Sequence, residues 1–123
     1  MCFEVRERDL LGRIGLVETK SGRFETPALL PVVNPAIQVV SPRELRERFG
    51  FKAIITNAYI IMRRYGQEAI EKGIHALLDF QGVVATDSGA YQLLVYGQID
   101  VGPEEVVAYQ EAIGSDIATI LDV

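Results

Sequence analysis

Four short apolar runs recur along the chain, and each is separated from the next by sequence with helical character. The runs cover residues 29–33, 53–56, 83–86 and 117–121. Short runs of consecutive apolar residues are typical of parallel strands, because both faces of such strands are covered by other parts of the protein. Because parallel strands need crossover segments between them, this alternation predicts a parallel sheet in an α/β fold.

The N-terminal third has a different period. Residues 13–19 and 23–26 roughly alternate apolar and polar side chains on either side of a turn at Lys20, Ser21 and Gly22. Alternation around a turn that contains glycine predicts an antiparallel hairpin. The chain is therefore expected to combine an antiparallel segment with a parallel sheet.

Local start and stop signals predict where the helices lie. Ser41, with Glu44 three residues later and Pro42 at the first helical position, predicts a helix that ends at Gly50. Its apolar side is expected to carry Leu45 and Phe49. Further helical sequence is expected over residues 58–80, with breaks near 65–66 and at 73. A last helix is expected to start at residue 103 and to end at 114, with an apolar side formed by Val106, Tyr109 and Ile113.

Composition narrows the class of protein. The 123 residues carry twelve Lys and Arg against seventeen Asp and Glu, a net charge of −5, which excludes a globally basic nucleic-acid-binding surface. The single cysteine, Cys2, excludes a disulfide framework and a Cys-based zinc site within this chain, and is expected to be inert. The charged first ten residues lack the apolar core of a signal peptide. No run approaches the ~20 apolar residues of a membrane span, so a cytoplasmic protein with no membrane partner is expected.

Polar side chains follow all four predicted strands: Asn34, Asn57, Asp87 and Asp122. The carboxyl ends of parallel strands lie at one edge of the sheet, where α/β proteins place their sites. Two amides and two carboxylates are therefore expected to converge there. The alternative is structural, because Asn and Asp also favour the positions after strands, where they form Asx-turns or helix caps.

The densest group of candidate residues reads Thr-Asp-Ser-Gly-Ala-Tyr-Gln at residues 86–92. A carboxylate leaves the strand, two small residues allow a ligand close to the backbone, and Tyr91 offers a flat face for stacking. This pattern favours a pocket for a planar ligand; the alternative is a tight turn capped by Ser88. Asp122 could accept two hydrogen bonds from a guanine-like base, or could cap the strand or pair with an arginine.

The remaining candidates have weaker signals. His75, the only histidine, lies among apolar residues and is expected to be structural rather than a catalytic base. Five arginines could contact phosphate or could form a solvated surface with Glu44 and Glu47 as partners. They are Arg43, Arg46, Arg48, Arg63 and Arg64.

The chain resembles the tRNA-guanine transglycosylases, and most closely their archaeosine type. The segments that carry the resemblance read Leu-Pro-Val-Val at residues 30–33, Thr-Asn-Ala-Tyr-Ile-Ile at 56–61, Thr-Asp-Ser-Gly-Ala-Tyr-Gln at 86–92, and Gly-Ser-Asp-Ile at 114–117, running into Leu121 and Asp122. The resemblance implies the first half, about four βα units, of a TIM-type (β/α)8 barrel. Residues 1–27 would form an antiparallel cap, and residues 28–123 the βα units. The implied reaction exchanges a guanine in the tRNA D-arm for 7-cyano-7-deazaguanine.

The resemblance also implies roles for individual residues. Asp87 matches the catalytic aspartate, either as nucleophile or as general acid/base. Asp122 matches the aspartate that binds the exchanged base, and Tyr91 the aromatic residue that stacks on it. Ser88 and Gln92 would line the pocket, and Asn57 is a further candidate for substrate binding. The family's zinc site and a second essential aspartate would lie beyond residue 123, so no metal ligand is expected in this chain.

A full barrel of this type needs about 250 residues, which predicts that this chain works with a complementary C-terminal half or a second subunit. Alone it is expected to bind base poorly and to turn over little. The alternative is a non-catalytic binding or scaffold subunit that pairs through its open sheet edge.

Overall fold

The computed structural model describes residues 1–89 and 101–120. Within these residues the protein is a mixed α/β structure with one antiparallel and one parallel sheet. The strands are β1 (Cys2–Asp9), β2 (Gly12–Thr19), β3 (Gly22–Thr26), β4 (Val32–Val33), β5 (Ala53–Asn57), β6 (Val83–Asp87) and β7 (Ile117–Ala118). The helices are α1 (Pro42–Glu47), α2 (Ala58–Tyr65), α3 (Gln67–Lys72), α4 (Ile74–Leu78) and α5 (Pro103–Ala112).

The antiparallel sheet has the order β1-β2-β3. The predicted hairpin is confirmed as β2 and β3, which pair from Thr19 with Gly22 to Gly15 with Thr26. The sequence pattern does not predict β1, because its charged side chains are largely exposed and it lacks a buried face that would produce a hydrophobic period. A Cβ at Gly15 would collide with the Phe3 ring and the Thr26 hydroxyl, so glycine allows Phe3 to cross this strand.

The parallel sheet has the order β4-β5-β6-β7, so each strand lies beside its successor in the sequence. All four predicted strands are present, but the first and last are shorter than predicted. Pro31, just before β4, has no N–H to donate, although its carbonyl accepts from the Ile55 N–H at 3.0 Å. Pairing of β7 with β6 ends at Ala118, and Leu121 lies outside the described residues.

The predicted helix starts are confirmed, but α1 ends at Glu47 instead of Gly50 and α5 ends at Ala112 instead of 114. The Ser41 hydroxyl accepts from the Glu44 N–H at 3.2 Å, and Pro42 occupies the first turn. Leu45 packs against the core, but the prediction for Phe49 is wrong, since 56% of this residue is exposed. The helix ends at Glu47, and this early end leaves Phe49 outside the helical register of Leu45. The predicted breaks at 65–66 and 73 separate α2, α3 and α4.

The main core lies between these helices and one face of the parallel sheet. Ile54, Val84, Ile61, Ile74 and Ile113 are almost completely buried there. The predicted apolar side of α5 is also confirmed, because Val106, Tyr109 and Ile113 are all buried. None of the helices in residues 1–89 and 101–120 is long and apolar enough to cross a membrane.

A second, smaller cluster joins the two sheets. Phe24 of β3 packs with Ala53 and Val83, the first residues of β5 and β6. The antiparallel sheet therefore covers the amino-terminal ends of these parallel strands, on the face opposite to the main core. Their carboxyl ends, which carry Asn57 and Asp87, lie away from this contact.

Candidate active site at the carboxyl ends of the parallel strands

Asn57 and Asp87 are direct neighbours at one edge of the parallel sheet. They are the last residues of β5 and β6 and form a register pair, and both are partly buried. Asn34 directly follows Val33, which pairs with Thr56, so it lies at the same level on the next strand. The sheet thus brings together three of the four predicted strand-end residues. Asp122, the fourth, lies outside the described residues.

The two asparagines hold backbone at this edge. The Asn57 side chain caps α2, since its Oδ1 accepts from the Ile60 N–H at 3.0 Å. Asn34 Oδ1 accepts from the N–H groups of Ala36 at 2.8 Å and Ile37 at 3.3 Å, as in an Asx-turn. Both side chains therefore make the contacts that the structural alternative predicts, an Asx-turn at Asn34 and a helix cap at Asn57.

Asp87 differs from the amides in how its side chain is held. Its Oδ1 accepts from the backbone N–H of Ser88 at 2.8 Å, which fixes the carboxylate beside the strand end. An ionised carboxylate has about four acceptor positions, so this contact leaves capacity for a ligand. The next residues turn the chain sharply, with Ser88 only 2% exposed and Gly89 at a φ of +99°. Glycine has no Cβ and adopts a positive φ without steric cost, which accounts for the glycine at this position of the motif.

A buried polar network lies directly beneath Asp87. Thr86 and Gln110 are completely buried, and the Thr86 hydroxyl lies 2.7 Å from Gln110 Oε1 and 2.9 Å from Ser115 Oγ. Gln110 also bonds to the backbone N–H and C=O of Thr119. The network thus joins β6, α5 and the segment after β7. Sequence reasoning missed it, although a signal existed: Gln110 lies four residues after Val106, on the side of α5 that should be apolar.

Comparison with known proteins bears directly on this edge of the sheet. The sequence profile of the family described as queuine tRNA-ribosyltransferase matches residues 9–123. The chain belongs to this family. The match contains both Asp87 and the network beneath it.

Curated relatives named tRNA-guanine(15) transglycosylase support the same assignment. The Methanopyrus kandleri protein is 50% identical over 100% of this chain and 27% of its own length. The Aeropyrum pernix protein is 54% identical over 98% of this chain and 23% of its own length. The Pyrococcus furiosus protein is 49% identical over 98% of this chain and 21% of its own length. The chain therefore spans about a quarter of the length of these relatives.

Three residues to which the family resemblance gives a role are not described in the structure. Tyr91, Gln92 and Asp122 lie outside residues 1–89 and 101–120. Their roles remain predictions. Within the described ranges, no three His, Cys, Asp or Glu side chains gather as a possible metal site.

A second group of hydrogen-bonded side chains, centred on one carboxylate, lies at the opposite end of the sheet. Asp116, just before β7, has a fully buried side chain that accepts from Ser21 Oγ at 2.6 Å and the Val84 N–H at 2.9 Å. Its Oδ2 also lies 2.8 Å from His75 Nε2. The carboxylate lies between the serine and the histidine, so no base contacts the hydroxyl as a hydrolytic triad requires. His75 therefore makes a structural contact, as expected for it, while Asp116 enters the sequence analysis as part of the Gly-Ser-Asp-Ile segment and without an assigned role.

The solvated-surface interpretation holds for two of the arginines. Arg43 bonds to both carboxylate oxygens of Asp79, at 2.7 and 3.0 Å, and approaches Glu47 at 3.7 Å. Arg48 pairs with Glu44 at 3.7 Å. The hydrogen bond from Arg43 lowers the pKa of the Asp79 carboxyl from its usual 3.8, and the same contact raises the pKa of Arg43.

Elsewhere, burial raises the pKa of the Tyr109 phenol, which donates to the Gly66 carbonyl at 2.8 Å.

Proposed function

We propose that this chain forms the N-terminal part of an archaeosine-type tRNA-guanine transglycosylase. The enzyme would exchange a guanine in the tRNA D-arm for 7-cyano-7-deazaguanine. The observation that carries the proposal is the place of Asp87, a partly exposed carboxylate at the carboxyl end of a central parallel strand in a chain of this family. Barrel enzymes take their catalytic side chains from such strand ends.

The architecture supports a barrel as the complete fold. Four parallel strands in sequential order, joined by helical crossovers, correspond to half of a (β/α)8 barrel. In this proposal residues 1–27 are the antiparallel cap and residues 28–123 the first βα units. A complementary C-terminal half, or a second subunit, supplies the other strands and the family's zinc site. The complete enzyme works in the cytoplasm on tRNA.

The chemistry requires two displacements at C1′ of the ribose, as in retaining glycosidases. In the first, a carboxylate oxygen bonds to C1′ while the bond to guanine breaks, and a general acid gives the departing base its proton. In the second, the incoming base loses a proton, its nitrogen attacks C1′, and the carboxylate leaves. Asp87 acts at this centre as the nucleophile or as the group that carries the proton.

The other candidate residues bind the base. Asp122 accepts hydrogen bonds from its ring N–H and exocyclic amine, and Tyr91 stacks on its plane. Ser88 and Gln92 line the pocket. Asn57 lies beside Asp87 in the sheet register, within reach of the same ligand.

The test uses a chimaera in which this chain replaces the matched segment of the Methanopyrus kandleri relative. We expect it to exchange labelled guanine into tRNA, and Asp87→Ala to lower the rate by about 1,000-fold or more, as loss of a covalent or proton-transfer group does. Asp79→Ala is the matched control, because Asp79 is an exposed aspartate paired with Arg43. An Asp87→Ala chimaera as fast as this control would disprove the catalytic role.

A covalent trap separates the two roles of Asp87. The chimaera is incubated with tRNA in the absence of incoming base, denatured, and digested for mass spectrometry. A ribosyl adduct on Asp87 identifies it as the nucleophile. An adduct on another carboxylate, lost in Asp87→Asn, identifies Asp87 as the proton carrier.

A further inference from the structure

The side-chain amide of Gln110 makes four hydrogen bonds within the described residues. Its Oε1 accepts from the Thr86 hydroxyl at 2.7 Å and from the Thr119 N–H at 3.0 Å. Its Nε2 donates to the Thr119 carbonyl at 2.8 Å and to the Val106 carbonyl at 3.2 Å. These contacts use both amide hydrogens and both oxygen lone pairs, and Gln110 is completely buried.

The hydroxyl groups around Gln110 have a consistent direction of donation. Thr86 has one hydroxyl proton, and the shortest contact directs it to Gln110 Oε1. Ser115 Oγ, at 2.9 Å, must then donate to Thr86. The Thr119 hydroxyl donates to the Thr86 carbonyl at 3.2 Å. Strand β6, helix α5 and the segment after β7 are therefore connected through the Gln110 side chain.

The network replaces strand pairing at the point where β7 ends. Ala118 is the last residue of β7 that pairs with β6. One residue later, both backbone groups of Thr119 bond to the Gln110 amide, which acts here as a peptide group of a neighbouring strand would. Thr86 directly precedes Asp87, and Thr119 lies three residues before Asp122.

We propose that Gln110 is a positioning residue for base exchange, which holds Thr86, and with it the strand end that carries Asp87, at a fixed separation from the segment after β7. The inference rests on the function proposed above and deepens it. Gln110 is held away from substrate by its burial and acts through Thr86 and Thr119. An apolar residue of similar volume would keep the core filled but would remove the hydrogen bonds to Thr86 and Thr119. Misplacement of reacting groups by about 1 Å can lower rates about 100-fold.

The test compares Gln110→Met with Ile113→Ala in the same chimaera. Ile113 is equally buried and lies one turn further along the chain, but it packs in the main core and not in this network. We expect Gln110→Met to lower kcat for exchange by about 10- to 100-fold while KM for tRNA stays unchanged. Ile113→Ala should lower Tm without a comparable fall in kcat below its melting range. Equal falls in kcat for the two variants, or an unchanged kcat in Gln110→Met, would overturn the inference.

A double variant gives a readout that lost stability alone would not change. Thr86→Val removes the hydroxyl that joins Gln110 to the residue before Asp87. If both act through one network, Thr86→Val with Gln110→Met should lower kcat no further than the more damaging single change. Multiplicative losses would show independent effects and overturn the proposal.

Hydrogen exchange on the 123-residue chain tests the geometry without any activity. In Gln110→Met the Thr119 amide should lose its protection while the α5 amides keep theirs; unchanged protection at Thr119 would contradict the arrangement. The two proposals fail differently. An unsubstituted chimaera that folds but does not exchange guanine overturns the proposed function and this inference with it. An active chimaera that is indifferent to Gln110→Met overturns this inference alone.

Discussion

Asp87 and Asp116 lie at opposite ends of the parallel sheet, and the number of donors around each carboxylate differs. The side chain of Asp116 is fully buried and in contact with Ser21, His75 and the Val84 N–H. Asp87 is partly exposed, and the contact described for its side chain is the N–H of the next residue. A carboxylate whose acceptor positions are filled by the protein holds structure together. One that keeps acceptor positions and solvent access can bind a ligand.

The largest effect on stability is expected at Asp116. Asp116→Ala leaves Val84 N–H, Ser21 and His75 without their shared acceptor, and should lower the free energy of unfolding by about 3 kcal/mol. Asp87→Ala should change it by less than about 1 kcal/mol, because one local hydrogen bond is lost. Urea unfolding followed by circular dichroism measures both. A larger loss for Asp87→Ala than for Asp116→Ala would reverse the comparison between the two ends.

A smaller effect is expected at Gly82, which precedes β6 at the amino end of the sheet. A Cβ there would lie 2.8 Å from the Lys52 carbonyl oxygen and 2.7 Å from the Phe80 ring. Gly82→Ala should therefore cost about 2 kcal/mol, since backbone cannot move aside cheaply. Gly102→Ala is the control, because no atom of the described residues other than its chain neighbours lies within 4 Å of its added Cβ, and it should cost about 0.5 kcal/mol. Similar midpoints of urea unfolding for the two variants would show that the amino end is not closely packed.

The sequence predicts those features that depend on local pattern. Strands β5 and β6, the cap at Ser41 and the breaks in the helical segment all follow from residues close together in the chain. The convergence of Asn57 and Asp87 follows from the parallel topology that the alternation of strands and helices indicates. Because the carboxyl ends of neighbouring strands align in such a sheet, that alternation is enough to predict that these two residues lie side by side.

The features that sequence reasoning misses depend on partners distant in the chain. Asp116 bonds to Ser21, 95 residues away, and to His75, 41 residues away, so no local pattern marks it as the centre of a cluster. Gln110 is polar on a buried helix side, but its function depends on where β6 and β7 end. Strand β1 gives no signal because its side chains are largely exposed, and a strand without a buried face has no hydrophobic period.

The smallest effect on folding stability is expected at a third aspartate, Asp79, and acid or high salt should remove it. It is exposed, and the bond from Arg43 lowers its pKa in the folded state below the 3.8 of a free side chain. A carboxyl with a lowered folded pKa stabilises the fold above its unfolded pKa, and loses that contribution as the pH falls through the folded value. The urea midpoint of the unsubstituted chain should therefore slightly exceed that of Asp79→Asn at pH 7, and the difference should shrink as the pH falls below 3.8 and through the lowered folded-state pKa. High salt should also reduce the difference at pH 7, because exposed ion pairs are screened. A difference that grows on acidification would contradict the sign of the shift.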